Sequence, residues 1–384
     1  MRILMAQDTF LPKLGGAEIH VWKLSKGLAN RGHQITIVTA TPGSAVVDGF
    51  RVHRFPYLQS QGKRAVISLP FYFPSLLRLV VSHEIVHGHY SALCSAVLGT
   101  LARSLNRPFI MTLHGYGTLD SSVQSSIWLN KWRSISFYMA NKVIATSDEM
   151  AEVARRFVPE EHIVIIPNGV DTSEFTPSGR NLPHSPFRIA AIRRLVPKNG
   201  VQYLIEAMPF VLELSKKPVE CWIVGDGRLR GYLEKRSKEL GIEGIVRFFG
   251  SVPNKQVKEI LDQVHVVVFP SSAESTSIAA LEAMAMGKPI VASAVGAYPK
   301  LLGANERGLL VKLFNRSQSN YEAPLTLPED RLRELARAIV QLIDNRELAE
   351  NISMQARDYV VKTFDWKVII DQIEKVYKEI VGKR

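Results

Sequence analysis

Two α/β domains, each an open parallel sheet covered by helices on both faces, are predicted by three observations. Short apolar strands alternate with helical stretches in two successive series, a proline-rich segment separates the series, and 384 residues suit two domains better than one. In chain order, MRILMAQ (1–7) is an apolar strand that runs into the loop DTFLPKLGGAE. A helix over 17–31 follows, with Val21, Leu24 and Leu28 on one face and Gly32 as its stop. QITIVTA (34–40) is the next strand, and others are expected at Ile85–Gly88, Pro108–Leu113, Lys142–Thr146 and Ile163–Pro167. Ser173–Pro186 holds three prolines and a glycine without apolar periodicity, and reads as a linker between a domain over 1–172 and one over 187–363. The second series runs FRIAAI (187–192), CWIVG (221–225), IVRFFG (245–250), VHVVVF (264–269) and PIVAS (289–293). A polar excursion, Lys312–Pro328, precedes a helix at Glu329–Asp344. The last segment is amphipathic, with Trp366, Ile369, Ile373, Val376 and Ile380 on one face.

Composition narrows the class. A hydrophobic content of 46% fits a folded protein with sizeable cores. Cys94 and Cys221 are too few for a disulfide framework; without a signal peptide, they suggest a reducing, intracellular setting. No apolar run approaches the roughly 20 residues of a membrane span. The longest, LPFYFPSLLRLVV (69–81), is interrupted by two prolines and an arginine. The net charge of +12 is unevenly placed: Ser44–Lys142 carries ten Lys/Arg against three acids. That excess suits an anionic partner, either a membrane surface or a phosphorylated substrate. Nucleic acid has no accompanying motif, and a merely basic surface is the plain alternative.

FPSSAESTSIAALEAMAMGKPIVASAVG (269–296) is the most informative stretch. It leaves a strand, places Glu274 in a Ser/Thr loop, and puts Glu282 on a short helix from about Ser277 to Ala285. Loops at the C-terminal ends of parallel strands face the ligand crevice of α/β proteins. This one would receive two carboxylates and a helix N-terminus that favours an anion. Carboxylates accept from hydroxyls, so the set suits a molecule bearing both sugar hydroxyls and phosphates. Glu282 lies among Ala279, Ala280, Leu281, Ala283 and Met284, where a charge is normally paired or ligand-bound.

Other motifs sit at similar edges. Gly15-Gly16-Ala17-Glu18 joins a strand to a helix N-terminus, as a phosphate loop would, but is not the G-x-G-x-x-G dinucleotide pattern. His114 ends the strand of MTLHGYG (111–117). IRRLVPKNG (192–200) brings cations to the end of the first strand of the second series, and Gly225-Asp226-Gly227 makes a tight turn after another. His87 and His89 have metal-like spacing but no evident third ligand, and read as structural. No Asp-x-Asp occurs, so no divalent-metal motif is apparent.

Over nearly the whole chain this sequence resembles the retaining GT-B glycosyltransferases of family 4. Glu274…Glu282 with GKPIVAS matches their E-x7-E motif; the GGxE loop, T-x-H-G and IPNGVD (166–171) support it. The resemblance implies two Rossmann-like domains facing across a cleft. The chain end (364–384) would cross back to complete the N-terminal, acceptor-side domain, leaving 187–363 as the nucleotide-sugar domain. It implies that Glu282 binds the ribose hydroxyls and Glu274 those of the donor sugar. The backbone of Ser275, Thr276 and Ser277 would lie beside the sugar, with Gly15, Gly16 and Gly225 near the donor. His114 would shape the donor pocket. The usual G-R-L-x-x-x-K-G places its arginine on Arg194, its glycine on Arg193 and its lysine on Asn199, the lysine having moved to Lys198. Lys300 stands where many relatives carry a glutamate.

The expected function is retaining, metal-independent transfer of a hexose-type sugar from a nucleotide-sugar donor. The acceptor would be a lipid-linked or a soluble glycan or phosphate; no bound cofactor is required. The expected location is cytoplasmic, with peripheral contact on an anionic membrane through the basic region and the aromatic stretch at 69–81, whose other reading is helix core packing. Two alternatives remain: a nucleotide-sugar epimerase on the same architecture, and a non-catalytic nucleotide-sugar-binding protein.

Overall fold

Continuous apolar runs such as ILMA (3–6) and VVVF (266–269) are strands buried on both faces, and the computed structural model places each inside a parallel sheet. Residues 1–13, 15–56, 63–89, 92–114, 127–179, 185–315 and 323–382 are described. The chain divides into two units, Met1–Gly169 with Trp366–Arg384, and Val170–Asp365.

Unit 1 contains β1 (Arg2–Gln7), β2 (Gln34–Thr39), β3 (Val46–Val47), β4 (Phe50–Arg54), β5 (Ile85–His89), β6 (Phe109–Leu113), β7 (Lys142–Ala145) and β8 (Ile163–Ile165). Their order is β3-β4-β2-β1-β5-β6-β7-β8, parallel except for the β3–β4 pair. The strands β3 and β4 were not expected: FRVHR alternates buried and exposed residues over only five positions, too short a pattern to separate from a loop. The chain steps outward from β1 to β2 and β4, then returns to β5 on the other side of β1. The C-terminal ends of β1 and β5 therefore flank a topological switch point.

The helix Gly16–Ala29 buries Val21, Leu24 and Leu28, and Ile369, Ile373 and Tyr377 of the terminal helix Trp366–Gly382 share that cluster. Each fully buried aliphatic side chain of this seam contributes about 1.5–3 kcal/mol. A Cβ on Gly27 would overlap the Ile370 side chain, so the seam depends on close helix approach. Arg31 closes its rim by pairing with Asp371 at 2.5 Å and Glu374 at 2.9 Å. The helix Lys63–Ser82 divides: Leu76, Leu79 and Val80 enter the core, whereas Ile67 (68%), Phe71 (80%) and Phe73 (45%) are exposed. Leu69 and Tyr72 also pack partly against that core, so core packing explains one face of the helix and leaves Ile67, Phe71 and Phe73 outside it.

Unit 2 contains β9 (Phe187–Ile192), β10 (Val219–Val224), β11 (Val246–Gly250), β12 (Val266–Phe269), β13 (Ile290–Ser293) and β14 (Leu309–Val311), ordered β11-β10-β9-β12-β13-β14 and parallel throughout. Its switch point lies between β9 and β12. The segment expected to be a linker begins inside this unit, with Phe175 only 3% exposed in its core. Residues 180–184 of that segment, and 316–322 of the later polar excursion, lie outside the described residues. Pro324 in the excursion accepts from the Tyr203 hydroxyl at 2.6 Å. Among the described residues no helix is long and apolar enough to cross a membrane.

Candidate active site

The switch point of unit 2 gathers the loops that follow β9, β10, β12 and β13. Glycines let them touch. Gly225 has φ +130°, and a Cβ there would strike the Arg193 carbonyl; Gly296 has φ +55°, and its Cβ would strike the Glu274 carbonyl. Gly225, expected to approach a donor, thus already spends its missing side chain on packing the β9 loop. Arg193 N donates to the Val224 carbonyl at 2.8 Å, and Leu195 N to that of Asp226 at 2.9 Å.

At the centre Arg193 pairs with Glu274, each side chain only 10% exposed. The guanidinium also donates to Tyr298 Oη at 2.6 Å, Asn199 Oδ1 at 3.3 Å and Ser277 Oγ at 3.5 Å. It lies 5.6 Å from the Phe269 ring centroid. Burial by itself would lower the arginine pKa, but the Glu274 charge and Tyr298 outweigh it and hold the guanidinium charged. The Tyr298 hydroxyl is pushed up to about 12, first by burial, with Arg193 pulling against it.

Arg193, at the position where the family has glycine, was not among the expected site residues. The available signal was an arginine at an unusual place beside another, at the end of β9 and next in sheet order to the strand whose loop carries Glu274. Asn199 proves structural. It is 5% exposed, accepts from Arg193 and donates to the Arg194 carbonyl at 2.7 Å, clamping the loop. Arg194 itself is exposed, and its guanidinium has no partner among the described residues. Lys198 is half-buried, and its carbonyl accepts from Ser272 N at 2.8 Å.

Ser277 caps the helix Ile278–Ala285 by accepting from Ala280 N at 3.2 Å. Ser275 and Thr276 are half-buried in the loop before it, Glu282 is half-buried on the helix, and Lys300 is exposed. The structure thus brings Glu274, Ser277, Asn199 and Arg193 into one bonded group at the end of β9 and β12.

Unit 1 repeats the topology with different chemistry. Gly15 takes an extended conformation before the helix Gly16–Ala29, and Glu18 in the first turn accepts from Thr9 Oγ1. His20 on this helix, His87 and His89 on β5, and His114 just after β6 form one ring cluster. His20 and His114 lie with centroids 4.6 Å apart, His89 and His114 5.3 Å, and His20 and His89 5.5 Å. His87 is fully engaged, with Nδ1 2.6 Å from Tyr377 Oη and Nε2 2.7 Å from Thr112 Oγ1. His89 Nδ1 meets His114 Nε2 at 3.0 Å.

Burial keeps all four rings neutral. It pushes His87 down to about 3, aided by His114, and His114 down to about 4, with Asn168 opposing. His20 and His89 are likewise held well below 6.5 by burial and by their neighbouring rings. The reading of His87 and His89 as a structural pair lacking a third ligand is corrected for His89: the sheet order sets β6 beside β5, which delivers His114, and the first helix delivers His20. One nitrogen from each of His20, His89 and His114 lies within 4.8 Å of the others. Gly115–Gly117 of the MTLHGYG motif lie outside the described residues.

Residues 14–174 match the family model "Glycosyltransferase Family 4" and residues 173–323 match "Glycosyl transferases group 1". A human phosphatidylinositol N-acetylglucosaminyltransferase subunit is 30% identical over 98% of this chain and 76% of its own. Phosphatidyl-myo-inositol mannosyltransferase of Mycobacterium tuberculosis is 27% identical, over 100% of this chain and 98% of its own. Among solved structures, Anabaena HepE in complex with UDP superposes with a TM-score of 0.79 at 20% identity, over 99% of this chain and 100% of that one.

Proposed function

The chain belongs to glycosyltransferase family 4 (glycosyl transferases group 1) and is a glycosyltransferase of GT-B fold; on that premise we propose that it moves a hexose-type sugar from a nucleotide-sugar donor to a lipid-linked acceptor, with retention and without a metal at the diphosphate. The observation that carries this reading is the division of labour between adjacent arginines. Arg193 is committed to Glu274, whereas Arg194 stands exposed and unpartnered among the described residues at the same switch point. Arg194, with Lys198 nearby in sequence, neutralises charge on the departing nucleoside diphosphate.

Glu282 binds the ribose hydroxyls. Glu274 accepts from the donor sugar, with the backbone of Ser275, Thr276 and Ser277 beside it. Gly15 and Gly16 receive the donor diphosphate side, and His114 shapes the donor pocket. A carboxylate already ion-paired to a buried arginine is a weak nucleophile, which argues against a covalent glycosyl–Glu274 intermediate. Retention then proceeds by front-face attack. The acceptor oxygen bonds to the anomeric carbon as the carbon–oxygen bond to the diphosphate breaks on that same face, and the leaving phosphate takes the acceptor proton.

A lipid acceptor is favoured because two relatives are named for phosphatidylinositol chemistry and because Ile67, Phe71 and Phe73 are exposed on a helix within the basic region. Those side chains suit peripheral docking on an anionic membrane surface at the cytoplasmic face. The non-catalytic alternative is raised by Asn199 and Lys300, two departures from the family pattern; of these Asn199 has a structural use. The epimerase alternative requires donor conversion without release of nucleoside diphosphate.

The test is thermal stabilisation of the purified protein by UDP-, GDP- and ADP-sugars in EDTA, alongside Glu282→Ala. Stabilisation by one nucleotide class, lost in the variant, fits the reading. Folded protein that responds to none of them overturns it.

A further inference from the structure

We propose that His20, His89 and His114 form a binding site for a divalent transition-metal ion of the zinc class. Three separate elements hold these rings: the helix Gly16–Ala29, the last position of β5, and the first residue beyond β6. Parallel pairing of β1 with β5 and of β5 with β6 fixes the strands that carry two of them. His20 is 2% exposed and His89 fully buried.

The polar accounting of the cluster is incomplete. Of its six ring nitrogens, His89 Nδ1 and His114 Nε2 face each other at 3.0 Å. Both nitrogens of His20, Nε2 of His89 and Nδ1 of His114 are buried and make no hydrogen bond of good geometry among the described residues, although the Asn168 side chain lies close to His20 and His114. Each such atom costs about 1–3 kcal/mol, and native interiors carry few of them without a reason. A metal ion that takes one lone pair from each ring supplies one.

Spacing and chemistry agree with that ion. Zinc–imidazole bonds of about 2.0–2.1 Å in a tetrahedron place ligand nitrogens roughly 3.4 Å apart. The three nitrogens lie within 4.8 Å of one another, and small ring rotations close the difference. Imidazole ligands without a carboxylate select zinc, cobalt, nickel or copper over magnesium or calcium. Metal-bound histidines usually donate their second nitrogen to an outer acceptor. Asn168 supplies one: its Oδ1 is unpartnered among the described residues, and its side chain lies beside His20 and His114.

If His114 serves the donor as assigned above, an ion held by its ring withdraws it from that work, so zinc inhibits transfer. The inhibition rests on that assignment; the binding does not.

The experiment titrates Co²⁺ into untagged, chelator-stripped full-length protein and reads its visible ligand-field bands, with Zn²⁺ as competitor. One equivalent should give a low-symmetry cobalt spectrum that zinc abolishes. His20→Ala and His89→Ala should each weaken binding by at least about tenfold, and Asn168→Ala by about tenfold while leaving all three ligands in place. Circular dichroism and melting curves establish that each variant is folded. Absence of the bands, or bands that persist unchanged in folded His20→Ala and Asn168→Ala proteins, overturns the proposal.

Discussion

The switch points of the two sheets make an instructive pair. Both sit where the chain reverses direction across a parallel sheet, and both collect polar side chains that the surrounding core would otherwise exclude. In unit 2 the buried groups are charged and partnered, Arg193 with Glu274, Tyr298, Asn199 and Ser277. In unit 1 the four clustered histidines are neutral, and four ring nitrogens of His20, His89 and His114 make no hydrogen bond of good geometry among the described residues. A shared strand order around the switch point therefore does not dictate the electrostatics. In unit 2 the buried arginine is held by the loop's own groups, whereas the exposed arginine beside it has no partner among the described residues.

Arg193→Ala tests this contrast most severely. It strands Glu274 without its cation and should cost about 3–5 kcal/mol in urea unfolding. Arg194→Ala should do the reverse, leaving stability within about 0.5 kcal/mol while lowering kcat by roughly 10²–10³-fold. Equal destabilisation by the two would erase the distinction between scaffold and ligand arginine.

Acidification separates the units next. Histidines whose folded pKa is depressed stabilise the fold above their unfolded value of about 6.5 and lose that contribution as pH falls towards the folded value. For His114 the window runs from about 6.5 down to about 4, and for His87 to about 3, burial being the main cause. Within it each group removes up to about 1.4 kcal/mol per pH unit. Arg193 is shifted upward and Tyr298 is raised to about 12, so neither titrates there. Amide exchange on metal-stripped protein, corrected for intrinsic rates, should show unit 1 losing protection from pH 7 to pH 5 while the β9–β12 region keeps it. The smallest effect expected is that of Tyr298→Phe, about 1 kcal/mol, because it removes one hydroxyl from a guanidinium that keeps its carboxylate. A loss as large as that of Arg193→Ala would mean that the tyrosine, not the ion pair, organises the loop.

Much of the fold was legible because its signals are local. Apolar runs marked β1, β2, β9 and β12, and Ile369, Ile373 and Val376 marked the inward face of the last helix. The loop at Glu274 was legible from its position after a strand. What stayed hidden depends on strand order. His20, His89 and His114 are far apart in sequence, and their meeting follows from β5 lying between β1 and β6, which no local pattern reveals. For Gly225 the local pattern showed the tight turn but not that a Cβ there would strike the Arg193 carbonyl, a contact that follows from the pairing of β9 with β10. The linker expectation failed at its start because Phe175 is a single buried aromatic in a polar stretch, too little for periodicity to register.

The return of Trp366–Gly382 to unit 1 bears on how the protein is made. The residue that seats His87 is Tyr377, 290 positions downstream, and the first helix shares its apolar cluster with that last helix as well as with the sheet. A ribosome therefore releases every strand of both sheets before unit 1 can close, whereas unit 2 is complete at Asp365. The domain synthesised second is the first able to finish, and the amino-terminal sheet must wait without the last helix that completes its first helix's packing.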